Sequence, residues 1–208
     1  MNHKFVYLLP FKEGTDIRVQ ETTNLGEKYF GSERPENWKA YIVKTENPKP
    51  VFAMRKGLVV KIVNEYETVT QEGVSYTGKT NSITIEHKDG TMASYTGFKR
   101  NSFKVRLGQT VYPNMELGML DTYANEGSRL YFYVYYLNTD KYDHTKKENL
   151  TNRKSKNDYV HPYFVTEEGA FQLDNRATYK VKWDSDTLFS EFSKREKKKY
   201  AKDPKQFQ

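Results

Sequence analysis

The chain has 208 residues with 36% apolar content, which is enough for one domain with a sizeable core and too little for two full domains. Its 17 Tyr and 12 Phe, together with frequent Val, Ile and Thr, favour pleated sheets and predict an all-β protein. No cysteine is present, which excludes disulfides, thiolate metal sites and cysteine nucleophiles.

The formal charge of +7 is concentrated at one end of the chain. Residues 193–208 hold seven Lys and Arg against Glu196 and Asp203, a net charge of +5, and residues 1–192 carry only +2. The nearly balanced body gives no electrostatic footprint for DNA or RNA, so no nucleic-acid partner is expected. The basic end is predicted to be a solvated, fraying tail, and a contact with nucleic acid or a membrane surface is the less common alternative.

The first ten residues begin with a basic stretch, but their apolar run is too short for a signal peptide and no small-residue cleavage site follows. Two alternatives stay open: a cytoplasmic chain if Met1 is native, or the mature region of an exported protein whose signal is missing. No run approaches the roughly 20 apolar residues of a membrane-spanning helix, so no transmembrane segment is expected.

Strand signals begin at residues 5–11 and become clear from residue 51 onward. Residues 51–63 are predicted to form two strands around a turn at Lys56-Gly57. Residues 82–87 and 91–95 are predicted to form a hairpin, because Asp-Gly between alternating apolar runs is a strong turn signal. Two polar, aperiodic segments, 20–40 and 138–158, are predicted to be long loops.

Two further β signals follow the hairpin. Apolar and turn residues recur every three positions from Val105 to Gly118, and Asn114 stands where a positive φ is expected, so a tight β excursion is predicted. In residues 129–135, Leu, Phe and Val alternate with tyrosines, which predicts one core face and one face carrying a tyrosine ladder. Arg129 shares the tyrosine face.

The C-terminal segment differs from the rest of the chain. Ser185 is predicted to cap one helix that runs to about Ala201 and ends before Pro204. Its apolar stripe occupies only the first turns, so we expect the helix start to dock and the lysine-rich end to project. The chain is therefore divided into a β domain at 1–180, with its core at about 48–165, and a C-terminal helix with basic tail at 181–208.

The order and spacing of these elements resemble the M23 peptidase family, the lysostaphin-like or LytM-like domains that cut peptide cross-links in bacterial cell walls. The resemblance implies an antiparallel β-sandwich with a duplicated hybrid-motif core, long loops and, here, a C-terminal helix. The matching segments are 7–11, 51–59, 83–90, 95–98, 108–118, 130–134 and 160–162.

The resemblance also shows what is missing. Active members hold zinc with a His and an Asp of a first motif and the second His of a His-x-His strand, while the strand's first His and a His in a Tyr-x-His-Leu turn assist the metal-bound water. Here Gly97 stands in the turn, and Arg129 and Tyr131 stand in the strand. The first-motif pair falls near Glu33 and Ile42. These degenerate positions imply no catalytic residue and no zinc or other cofactor.

Tyr95, Arg129, Tyr131 and Tyr133 are expected to line the groove that holds the substrate peptide in active relatives. Arg with Tyr suits a carboxylate, a sugar face or the backbone of a partner. The alternative is that aromatic side chains simply fill a vacated cleft. The leading hypothesis is an inactive M23-like binding or scaffolding module at the bacterial cell envelope, periplasmic or otherwise extracytoplasmic. Its first expected partner is an envelope protein, and its second is peptidoglycan.

Two other classes stay open. One is an active zinc metalloendopeptidase that cleaves peptidoglycan peptides with unrecognised ligands such as Glu33, His87 and His161. By strand parity, however, His87 is predicted to be a strand-end histidine held by a local hydrogen bond. The other class is a carrier or sugar-binding β domain, which residues 108–118 suggest. Met54-Arg55-Lys56 is similar to the motif around a carrier's modified lysine. This class is disfavoured because the tripeptide precedes residues 108–118, whereas the modified lysine of a carrier would follow them.

Overall fold

The computed structural model describes residues 6–22, 39–71, 74–76, 79–123, 127–137 and 157–207. Most of the two predicted long loops, and Glu33 with them, lies outside these residues. The strands of the described part are, in chain order, β1 Val6–Leu8, β2 Asp16–Glu21, β3 Ala40–Thr45, β4 Pro50–Phe52, β5 Gly57–Val63, β6 Val69–Gln71, β7 Val74–Tyr76, β8 Asn81–Glu86, β9 Thr91–Phe98, β10 Thr110–Val111, β11 Glu116–Met119, β12 Ser128–Leu137, β13 Asn157–Val160, β14 Tyr163–Thr166, β15 Gly169–Phe171 and β16 Thr178–Lys180.

A nine-stranded sheet organises the molecule. Its strand order is β10-β5-β8-β9-β12-β3-β2-β16, and β13 pairs with the far end of β12. Two smaller sheets, β4-β11 and β1-β14-β15, contribute to the same buried cluster as the large sheet. Every described strand pair is antiparallel except β1-β14, which is parallel. The all-β, antiparallel fold is thus confirmed.

The core lies on one face of the large sheet because β12 alternates with a period of two. Leu130, Phe132 and Val134 are at most 1% exposed, and the residues between them are half-buried. The hairpin between β8 and β9 and the positive φ of Asn114, at 71°, are also confirmed.

The C-terminal segment forms two helices instead of the single helix predicted from Ser185 to Ala201. Helix α1 spans Ser185–Phe189 with Asp184 as its N-cap, and helix α2 spans Lys194–Lys202 with Ser193 as its N-cap. The single-helix prediction is wrong because Ser193 and Glu196 form a capping box that starts a new helix. A 3-10 turn at Pro204–Phe207 follows.

Residues near the chain end pack against the β domain. Phe207 is 5% exposed and joins Leu188 and Phe192 in a second apolar cluster beside Tyr112. The prediction of a fraying tail is therefore wrong for the described residues up to 207. The division of the chain at residue 180 stays a prediction. No helix in the described ranges is long and apolar enough to cross a membrane.

Candidate functional site

Strands β3, β12 and β9 bring the degenerate family positions together. Tyr131 lies directly opposite Ile42 on one side and Thr96 on the other. Gly97 follows Thr96 and lies against the backbone of Arg129. Four of the five predicted positions thus meet on adjacent strands, and Glu33 lies outside the described residues.

Gly97 has a backbone that no catalytic histidine can easily share. Its φ is +117°, a conformation that L side chains rarely adopt, and a Cβ at this position would overlap the carbonyl oxygen of Arg129. Gly97 is also the extra residue of a β-bulge. Phe98 of β9 pairs with Asn81 and Thr96 pairs with Ser82, so Gly97 has no partner residue in β8. Loss of the imidazole is therefore accompanied by a local backbone that excludes any side chain.

Arg129 has a defined position beside Tyr123. Its guanidinium lies over the ring of Tyr123, 4.5 Å from the ring centroid, in cation–π geometry. Tyr123 is 4% exposed and forms a backbone hydrogen bond with Gly127. Sequence reasoning missed Tyr123, because only the fold brings it beside Arg129.

The tyrosine ladder follows Arg129 along β12. Ring centroids are 5.4 Å apart for Tyr131 and Tyr133, and 5.5 Å apart for Tyr133 and Tyr135. Tyr159 of β13 extends the ladder, with its ring 5.5 Å from that of Tyr133. Tyr135 and Tyr159 were not among the predicted groove residues, although the period-two pattern of β12 already contained Tyr135.

Burial raises the pKa of two phenols of the ladder. It raises the pKa of Tyr133, against a hydrogen bond with Ser94 that lowers it. Burial likewise raises the pKa of Tyr135 to about 12, and the neighbouring Tyr133 and Tyr159 act in the same direction. At neutral pH Tyr133 and Tyr135 therefore offer hydroxyl donors and aromatic edges but no negative charge.

The prediction that Tyr95 lines the groove is wrong. Tyr95 is fully buried, and its hydroxyl accepts a hydrogen bond from the backbone N–H of Met54 at 3.0 Å. The reason is strand register: Tyr95 lies opposite Phe132 on the core face, whereas Thr96 and Ser94 lie opposite Tyr131 and Tyr133.

The two described histidines contact different tyrosines. His87 is 2% exposed and its Nδ1 lies 2.8 Å from the carbonyl oxygen of Lys56, so a hydrogen bond holds the ring as predicted, but its partner is 31 residues away in the sequence and Nε2 is buried without a partner among the described residues. Burial lowers the pKa of His87 to about 4, so the ring is neutral and Nδ1 donates. The His87 ring packs on Tyr7, and that of His161 lies 6.3 Å from Tyr41.

These side chains do not fit the zinc ion that the family implies. Glycine and isoleucine offer no ligand, and the guanidinium of Arg129 has no lone pair and carries a charge that repels a cation. No group of three or more His, Asp or Glu within the described ranges is placed to hold a metal.

The sequence matches Peptidase family M23 over residues 36–146, which is more than half of the chain. The chain belongs to the M23 peptidase family. Among curated proteins, none is significantly similar to this M23 chain.

Several solved structures of M23 proteins are similar to the chain. Pseudoalterin, an M23 metalloprotease from the deep sea, has 15% identity and a TM-score of 0.44 over 86% of this chain and 96% of its own. A LytM-type glycyl-glycine endopeptidase from Ruminococcus gnavus has 15% identity and a TM-score of 0.42 over 76% and 56%. The lysostaphin catalytic domain from Staphylococcus simulans has 18% identity and a TM-score of 0.35 over 46% and 64%. The match thus spans less than two thirds of the last two proteins.

Proposed function

We propose that this M23 domain is catalytically inactive and acts as a binding or scaffolding module at the bacterial cell envelope, outside the cytoplasm. One observation carries the proposal. Gly97, Ile42 and Tyr131 occupy the neighbouring positions where the family places catalytic groups, and they supply neither the carboxylate nor the imidazoles that hold zinc and activate its water there.

The binding surface is the Arg129 side chain with the tyrosine ladder of β12. Tyr131, Tyr133 and Tyr135 are half-buried, so part of each ring stays accessible beside a fixed cation. Partial exposure supports a binding role over simple filling of the cleft, because rings that only fill a cavity become fully buried. Arg and Tyr are also the side chains that most often dominate binding energies at interfaces.

The chemistry of this surface suits a peptide segment with a carboxylate or exposed carbonyl groups. The guanidinium donates to such groups, and the neutral phenols add hydroxyl donors and flat apolar contact. A protein of the envelope is therefore the first partner, and the peptide stems of peptidoglycan are the second. In either case the domain recognises its ligand without cutting it.

The double substitution Arg129→Ala with Tyr131→Ala tests this surface. Quantitative affinity capture from envelope extracts of the source cells is compared for the wild type, this variant and the matched control Arg106→Ala with Phe171→Ala. The control likewise removes one arginine and one aromatic ring, but from a different part of the surface. Arg106 is exposed and Phe171 is 42% exposed. We expect at least about a tenfold loss of one specific partner only in the groove variant. Unchanged capture by a groove variant with a normal thermal transition would mean that the ladder is only packing.

A further inference from the structure

We propose that the outer face of helix α2 docks on an anionic phospholipid surface. This inference goes beyond the binding role of the groove, because it concerns the C-terminal helix and a different ligand. Three observations support it: the basic side chains form one exposed face of α2, the helix is anchored to the β domain, and a cavity opens beside the basic face.

The basic side chains of α2 form one continuous exposed face. Six of its nine residues are Lys or Arg, and all six are exposed. At about 100° per residue, Lys194, Lys198 and Lys202 fall on a single stripe that extends roughly 12 Å along the helix, with Arg195 at its side. One flat surface can contact these cations at the same time.

The acidic residue of α2 faces the opposite way. The carboxylate of Glu196 accepts hydrogen bonds from Lys56 Nζ at 2.8 and 2.9 Å and from the Tyr112 hydroxyl at 2.8 Å. Its charge is thereby compensated on the side that contacts the β domain. The outward face is left with positive charge alone.

The helix is held in place by residues that follow it and by residues that precede it in the chain. Phe207 packs with its ring 4.6 Å from Tyr112 and 5.5 Å from Tyr200. On the other side, Arg55 binds Glu191 through two hydrogen bonds of 2.8 Å. A basic tail that only aids solubility needs no such anchors, whereas a docking face gains from them because the cations are already arranged before contact.

A cavity of about 420 Å³ opens beside the basic stripe. Arg195 and Lys199 line it one helical turn apart, together with Ser193, Gln206 and Glu196, whose carboxylate is compensated by Lys56. The two cations match the charge and the oxygens of a phosphate group. We infer that this cavity receives a lipid headgroup while the stripe rests on neighbouring headgroups.

A lipid surface fits this arrangement better than a nucleic acid does. The cationic stripe lies on one short helix, and residues 1–192 carry a net charge of only +2, so the rest of the chain adds little net attraction for a long polyanion. A membrane needs only a local patch, and each Lys or Arg near an anionic leaflet strengthens binding about fivefold.

Vesicle co-sedimentation of the full chain tests the proposal. Vesicles of phosphatidylglycerol with phosphatidylcholine are compared with vesicles of phosphatidylcholine alone. The stripe variant is K194Q/K198Q/K202Q, and the control is K61Q/K99Q/K104Q, which removes three exposed lysines from the β domain. We expect the wild type to bind only the anionic vesicles, the stripe variant to bind on the order of 100-fold more weakly, and the control to stay within a few-fold of the wild type. Gln has a helix propensity close to that of Lys, so α2 should persist.

A second variant, R195Q/K199Q, leaves the stripe intact and is expected to weaken binding to the same vesicles through the cavity. Absence of wild-type binding to anionic vesicles, equal binding to neutral ones, or equal losses in the stripe and control variants would overturn the proposal. So would binding of duplex DNA or soluble poly(glycerol phosphate) without binding of vesicles. Thermal unfolding of each variant identifies any loss of fold.

Discussion

At Gly97 the main chain leaves no space for the imidazole that the family places there. The φ of +117° and the closeness of the Arg129 carbonyl oxygen leave room for hydrogen but not for a side chain. Restoring the family's histidine would therefore require the β9 bulge and β12 to move, whereas Arg129 and Tyr131 are ordinary strand positions. Restoring an imidazole at this position therefore meets a constraint of backbone geometry as well as of side-chain identity.

The substitution Gly97→Ala should destabilise the fold by about 3 kcal/mol or more, through both the positive φ and the overlap with Arg129. Gly108→Ala is the matched control, because Gly108 has a φ of +79° with nothing near its missing Cβ. The control should cost only about 1 kcal/mol, from the φ strain alone. Urea unfolding of both variants measures the difference in the free energy of unfolding. Equal costs would show that Arg129 moves aside without penalty.

Helix α2 illustrates how an element with few apolar residues is stabilised. Its Lys and Arg side chains are exposed, and it relies on Glu196, Tyr200 and the packing of Phe207 for contact with the body. Glu196 forms the capping box with Ser193, and its carboxylate also binds Lys56 and Tyr112 of the β domain. The position of the helix therefore depends in part on the ionisation of this carboxyl group.

That dependence predicts a pH effect on α2. Burial alone would raise the pKa of Glu196, but hydrogen bonds from Lys56, from the backbone and hydroxyl of Ser193 and from Tyr112 outweigh it and lower the pKa from 4.5 to about 2. Because the folded pKa is depressed, the stabilisation is complete above about pH 4.5 and is lost as the pH falls toward 2. Hydrogen-exchange protection of residues 194–202, corrected for intrinsic rates, should fall across this window.

Two variants check the origin of the effect. Glu196→Gln should show low protection of α2 at pH 6 and little further change on acidification. Glu168→Gln, which changes an exposed carboxyl elsewhere, should behave as the wild type. If the wild-type protection of α2 is unchanged between pH 5 and pH 2, the carboxylate does not hold the helix.

On the scale of the whole molecule, the sequence predicted what depends on local periodicity. The alternation in β12 identified Leu130 and Phe132 as core, since the period-two pattern needs no knowledge of the neighbouring strands. It could not place Tyr95, because only the register with Phe132 decides which face of β9 that ring occupies. The break between α1 and α2 was visible in principle, as Ser193 and Glu196 have the spacing of a capping box.

The assembled site predicts the outcome of an attempt to restore catalysis. The triple variant Gly97→His, Arg129→His, Tyr131→His should hold well under one zinc per chain and release no peptides from purified peptidoglycan, because Ile42 supplies no ligand opposite Tyr131. Zinc analysis of protein purified without chelator measures this. Arg129→His with Tyr131→His is the control that avoids the Gly97 overlap. One tightly bound zinc in the wild type, with peptidoglycan cleavage that a chelator abolishes, would instead establish an active peptidase.

The parallel pairing of β1 with β14 sets the order in which the small sheet is completed during synthesis. Val6 and Tyr7 leave the ribosome before their partners Tyr163 and Phe164, which are made about 157 residues later. At a synthesis rate of roughly 5–20 residues per second, the partner strand β14 is completed on the order of ten to thirty seconds after β1. During that interval the fully buried side chains of Tyr7 and Leu8 are exposed on the nascent polypeptide, where a chaperone can bind them.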